Sequence, residues 1–333
     1  MQFLNFSRVS GVLRWMVAAV VIVGIPQVTQ AREWHATVGA QSNNMGRQAL
    51  AFLPNEIWIH EGDSITWQWN TDEIHTLSFL TTGARMPFQV GCPGFATSPA
   101  TFDGTKCVST PALVKGDSFT VSFPQTGNFR FMCLVHNNMT GVVHVLRLGQ
   151  VLPHDQDFYD DEAVAQAHAL LSDTDGPGND EAEGPERGRH GENQVTAGKG
   201  EISATAGGQK TLSIVRFIEH TIVIHAGETV EWTNSDPVTP HTITFGKEPA
   251  NTMPPSANVT MDADGALHAT INSTSDNVHS GFVRAAAQER IGLPQSPLSV
   301  TRFRVTFTKA GKYPYICALH DDLGMKGEVT VLP

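Results

Sequence analysis

The chain has 333 residues, 40% of them apolar and 17% charged, with 33 acidic against 22 basic side chains and a formal charge of −11. That length suits two domains of ordinary size plus extra segments, and the composition is that of a folded chain. The acidic balance, with no basic stripe anywhere, excludes a nucleic-acid binder.

Residues 1–31 read as a secretory signal peptide. MQFLNFSRVSGVLRW carries Arg8 and Arg14 and no acid, an apolar run follows from Trp15 to Pro26, and VTQA ends on the small residue Ala31. The run is too short to span a bilayer comfortably, so membrane contact is expected only through this leader. An uncleaved anchor is the alternative. Export places the mature chain in the periplasm or outside the cell, where disulfides persist.

The first folded region is expected over residues 32–149. NEIWIHEGDSITWQW (55–69) alternates apolar and polar residues around a Gly turn, and IHTLSF, DSFTVSFPQTGNFRFMC and GVVHVL follow. Period-2 alternation rich in β-branched and aromatic residues describes antiparallel strands. An acidic linker follows over residues 150–192. From Asp155 to Glu186 it holds eleven acids and no Lys or Arg. Within it DEAVAQAHALL (161–171) predicts a short helix with Ala163, Val164, Ala167, Leu170 and Leu171 on one face. The rest of the linker reads as solvated.

The second folded region, residues 193–333, repeats the first. HTIVIHAGETVEW (220–232) matches 55–69, PHTITF matches IHTLSF, TRFRVTFTKAGKYPYIC matches the strands before Cys133, and GEVTVL matches GVVHVL. Several short strands per half predict two Greek-key β-sandwiches, an all-β duplication.

Four side chains recur in the same order in both halves. They are His75, Cys133, His136 and Met139 in the first, and His241, Cys317, His320 and Met325 in the second. Two imidazoles and a thiolate with a weak thioether make the site that electron-transfer copper prefers. The thiolate suits Cu(I) and the imidazoles tolerate Cu(II). Three donors on one loop surround one face of a metal, and the upstream His pins that loop to the sandwich. CALHDDLGM resembles the ligand loop of plastocyanin and pseudoazurin, and CLVHNNM is similar to the shorter loop of amicyanin. This resemblance to the cupredoxins covers both halves and implies two type 1 (blue) copper sites, one per set of four. It also implies that His136 and His320 lie at the surface within an apolar patch, to which Leu134, Val135 and Leu319 contribute, so that electrons cross there. The family often has Asn after the upstream His. Here Thr76 and Thr242 stand there, so any tie between the two loops comes from a hydroxyl.

Cys92 and Cys107 have no counterpart in the second half and read as a disulfide in an exported protein, two free thiols being the alternative. Met132 is expected to point away from Cys133 by strand alternation. His60, His225 and His144 read as structural. The expected function is that of an exported electron carrier, not an enzyme. A two-domain copper oxidase or nitrite reductase needs a second copper held by histidines. The chain has no His-x-His, and Met132 and Ile316 precede the two cysteines. A copper storage or delivery protein is the other alternative. The expected partner is a redox protein such as a c-type cytochrome or a respiratory enzyme.

Overall fold

The computed structural model describes residues 31–81, 92, 94–172, 193–286 and 299–333. The leader up to residue 30 and the acidic stretch 173–192 lie outside the described residues. No described helix is long and apolar enough to cross a membrane.

The alternating segments form strands as expected. The first half contains β1 (Glu33–Gln41), β2 (Arg47–Leu53), β3 (Glu56–His60), β4 (Ser64–Trp69), β5 (Ser78–Phe79), β6 (Ala100–Thr101), β7 (Val108–Ser109), β8 (Ser118–Ser122), β9 (Gly127–Met132) and β10 (Thr140–Leu146). After the helix α1 (Gln156–Leu171) come β11 (Gln194–Ala204), β12 (Gln209–Ile218), β13 (Thr221–His225), β14 (Thr229–Ser235), β15 (Thr244–Phe245), β16 (Thr260–Met261) and β17 (Leu267–Ile271). The chain closes with β18 (Val278–His279), β19 (Arg302–Phe307), β20 (Gly311–Ile316) and β21 (Lys326–Leu332).

The duplication is visible in the strand order. One face of the first sandwich runs β3-β10-β9-β5-β7, and the matching face of the second runs β13-β21-β20-β15-β18. Each closes with the same parallel pairing, β10 with β3 and β21 with β13. The other two faces are not separate. They join into one eleven-stranded sheet, β16-β17-β19-β14-β11-β12-β2-β1-β4-β8-β6. Its seam is the antiparallel pairing of equivalent strands, with Gln48 opposite Ser213 and Ala49 opposite Leu212. Antiparallel pairing of equivalent strands relates the halves by an approximate two-fold axis.

Each sandwich is filled by inward residues of both faces. In the first, Trp67 packs edge-on against Phe79, Phe123 and Phe131. In the second, Trp232 packs against Phe245 and Tyr315. Buried aromatic clusters of this kind stabilise by about 1.5–3 kcal/mol per side chain from burial alone. Both sets of donors are therefore mounted on packed aromatic cores.

Helix α1 differs from the expectation. It begins at Gln156 rather than near residue 161, capped by Asp155, whose carboxylate accepts the Phe158 N–H at 3.1 Å. It is also docked. Buried Leu170 and half-buried Ala163, Ala167 and Leu171 form a stripe that packs against Ala49, Ala51 and Leu53 of β2 and Leu212 of β12, while Tyr159 is buried in the first sandwich's core beside Trp34. The Tyr159 hydroxyl accepts the Trp58 N–H at 2.8 Å. Val164 stands off this stripe and is 70% exposed. The helix clamps the seam instead of hanging in a spacer, because a sheet face left bare across two halves needs an apolar cover.

Candidate metal centres

The residues singled out by spacing converge in each half. In the first, Cys133 Sγ lies 3.9 Å from Nδ1 of His75 and 3.9 Å from Nδ1 of His136, and the two nitrogens are 3.1 Å apart. In the second, Cys317 Sγ lies 3.8 Å from His241 Nδ1 and 3.3 Å from His320 Nδ1, with 3.2 Å between the nitrogens. All six side chains are buried. Donors that share one first-row ion at about 2.0–2.3 Å, at angles of roughly 100–120°, stand about 3–4 Å apart. The trios fit such an ion. Met139 and Met325 are fully buried, in the same clusters as Cys133 and Cys317.

The loops are built alike. The Cys133 N–H donates to Met139 O at 2.9 Å, and Cys317 N–H to Met325 O at 3.1 Å, so each loop folds back on its own methionine. The upstream histidines are held through their backbones. His75 exchanges both hydrogen bonds with Leu113, and His241 does so with Val283. The hydroxyl tie expected in place of Asn is present. Thr76 Oγ1 accepts the Leu134 N–H, and Thr242 Oγ1 accepts the Ala318 N–H, each at 2.7 Å. The Thr76 and Thr242 backbone N–H groups point at the sulfurs, at 3.4 and 3.3 Å.

Two glycines escaped the sequence reading. Gly39 has φ +68° and Gly198 φ +77°, each at a bulge between the first two strands of its half. A Cβ on Gly198 would stand 2.1 Å from His241 Nε2, and one on Gly39 3.1 Å from His75 Nε2 and 2.1 Å from Thr71 Cγ2. The backbone thus closes over the ring of each upstream histidine. Nε2 of both rings is buried without a hydrogen-bond partner among the described residues. Their Nδ1 atoms are the ones that face the thiol.

The electrostatics favour a metal-ready thiolate. Burial works against ionising Cys133, but His136 and His75 outweigh it and hold the thiol well below its ordinary range. Cys317 is lowered in the same way against burial, by His320 and His241. Burial pulls His136 down too, yet Cys133 and Glu73 raise it to about 10. Burial is likewise outweighed at His320, which Cys317 and Glu73 raise to about 9.

Glu73 is the second feature that sequence reasoning missed. It is buried between the halves, with Oε1 3.4 Å from His136 Nε2 and Oε2 3.6 Å from His320 Nε2. Burial alone would push its carboxyl up, but His320, His136 and His75 together hold it at about 2. This placement corrects the expectation of surface imidazoles. His136 is 2% and His320 3% exposed. They face the interior of the joined molecule because the two loop ends meet there. Val135 and Leu319 are half-buried against their own cores.

A family model described as copper binding proteins, plastocyanin/azurin family, matches residues 39–146 and 201–332. The chain belongs to that family. Among solved structures, oxidised plastocyanin from Dryopteris crassirhizoma is 21% identical, covering 42% of this chain and 99% of that one, with a TM-score of 0.22. Amicyanin from Paracoccus versutus is 15% identical, covering 37% and 86%, with a TM-score of 0.24. The reduced state of an amicyanin mutant is 17% identical, covering 34% and 82%, with a TM-score of 0.24.

The remaining residues fall where the sequence put them. Cys92 and Cys107 form a disulfide with Cα atoms 5.4 Å apart. Met132 is buried but stands outside the cluster that holds Cys133. His144 bonds Asn128 and Glu56 and stacks on Trp58. His60 meets the Gln150 carbonyl, and His225 that of Pro333.

Proposed function

We propose that this chain is an exported electron carrier with two type 1 copper centres, held by His75, Cys133 and His136, and by His241, Cys317 and His320. Met139 and Met325 are the weak axial donors. The observation that carries this reading is the pair of buried His–Cys–His trios, each with its thiol held low by its own imidazoles. Copper in such a donor set takes up or gives one electron with little rearrangement. The protein's part is to fix the donors. The Leu113 and Val283 backbones hold the upstream rings, the Thr hydroxyls tie the loops, and burial keeps water from the sulfur. Export is supported by the leader pattern and by the Cys92–Cys107 disulfide. The donor and acceptor are read as redox proteins, a c-type cytochrome among them. They must approach by a route other than the two buried loop imidazoles.

The test is to load the mature chain with copper, count tightly bound metal, and record visible and paramagnetic-resonance spectra. Two coppers with intense thiolate charge-transfer absorption are expected. A third copper without that absorption moves the reading towards an enzyme, and ready transfer of Cu(I) to an acceptor moves it towards copper delivery.

A further inference from the structure

Glu73 belongs to neither trio, yet it touches a member of both. We propose that it joins the two centres into an electron-exchange pair, with His136–Glu73–His320 as the route. This rests on the reading of both trios as redox copper centres.

Four observations carry it. First, each loop imidazole presents Nδ1 to its own thiol and Nε2 to Glu73, so each ring spans the space between trio and carboxylate. Second, the two carboxylate oxygens serve the two rings separately. Only two non-covalent steps, 3.4 and 3.6 Å, lie between one ring and the other. Third, the route is dry, since Glu73, His136 and His320 are all buried. A carboxylate held out of water persists only when paired, and here its partners are these two rings. Fourth, the junction that sets the spacing is tied from both sides. Asn138 Nδ2 donates to Gln209 Oε1 at 2.9 Å, and the Gln209 N–H donates to Thr140 Oγ1 at 2.8 Å. Arg216 donates to the Leu323 carbonyl at 2.7 Å and also to the Asn44 carbonyl.

Glu73 and the two rings do not form a third metal site of the same kind. Among the described residues, the two trios are the sets whose ligand atoms all lie within 4.8 Å of one another. The bridge is also single. The position matching Glu73 in the second half is Thr239, which carries no charge.

The step balances within the molecule. One electron leaves the reduced centre and arrives at the oxidised one. No bond forms or breaks, no proton leaves the Nε2–carboxylate contacts, and no outside oxidant or reductant is consumed in the exchange. Glu73 is a positioning residue in this scheme. Its negative charge also favours the oxidised state of both centres, so removing it raises both reduction potentials.

The experiment uses the full copper-loaded chain. Cys133→Ala and Cys317→Ala first assign each centre's absorption and paramagnetic-resonance signal. A pulse of one-electron reductant, below one equivalent, is then followed at both signals. The native protein is expected to re-equilibrate between centres at a rate independent of protein concentration. Glu73→Ala, measured at copper concentrations that saturate both centres, is expected to slow that phase by about tenfold or more and to raise both potentials. Glu73→Gln keeps the shape, loses the charge, and serves if the Ala variant loses a centre. An unchanged exchange rate in either variant with both signals present overturns the proposal. So does a native relaxation that depends on protein concentration. Failure of the parent reading looks different, because then no thiolate absorption exists to follow.

Discussion

The two halves use the same positions to hold a metal and different residues around them. Both pin the upstream His by a paired backbone bridge, tie the loops by a Thr hydroxyl, and lay a glycine over the ring. The turn before that His is where they part. In the first half the Thr71 hydroxyl accepts the Glu73 N–H at 3.1 Å and bonds Gln48. In the second, the Asp236 carboxylate accepts the Val238 and Thr239 N–H groups and bonds Ser213, the residue opposite Gln48 across the seam. The same bend is thus closed by different chemistry, and only the first half ends it on an acid. Thr239 is buried with its hydroxyl unpartnered among the described residues. What is shared builds a centre, and what is unshared links the two.

That comparison can be broken most directly at sulfur. Cys133→Ala and Cys317→Ala should each remove one centre and about half of the charge-transfer absorption, the other centre staying intact. Loss of both centres from one substitution would show that the halves do not bind metal separately. Substituting the glycines should sharpen the contrast. Gly198→Ala drives a methyl into the His241 ring and should weaken copper binding at the second centre by about 10–100-fold, measured by competition with a chelator. Gly39→Ala meets Thr71 first and should disturb its own centre less. Equal losses would mean that the backbone, not the ring contact, sets the site.

Smaller effects separate the halves by stability. Cys92→Ser with Cys107→Ser, which opens a loop only the first half has, should lower unfolding free energy by about 3 kcal/mol in denaturant titrations. The second centre's spectrum should not change. Thr76→Val and Thr242→Val each remove the partner of one half-buried N–H, of Leu134 or Ala318, and should cost about 0.5–1.5 kcal/mol apiece. A marked difference between them would show that the repeat is less equivalent than its hydrogen bonds suggest.

Much of this was legible in the sequence. Strand alternation gave the sandwiches because inward Trp and Phe residues recur every second position, and the Cys–His–Met loops stood out because sulfur is scarce. Glu73 was not legible. It is one of 33 acids, lies in no motif, and matches Thr239 in the repeat, so comparing the halves gives it no weight. Gly39 and Gly198 had a signal that was passed over. Both halves carry a glycine in their first strand, β1 and β11, and a repeat alignment extended to those strands would have paired them. The burial of His136 and His320 could not be read from either half, because it depends on how the halves meet. Helix α1 was misjudged for the same reason. Its apolar face, Ala163, Ala167, Leu170 and Leu171, was legible from helical spacing, but the seam between β2 and β12 that it covers was not.

The central claim is that each half binds copper through its own cysteine sulfur and two imidazoles. X-ray absorption at the copper edge of the fully loaded chain tests it most directly, run beside the two single-cysteine variants. The account predicts one short copper–sulfur bond and two nitrogens per metal in every sample, with two metals per native chain and one per variant. Copper bound only through nitrogen and oxygen, or one metal per native chain, would contradict it.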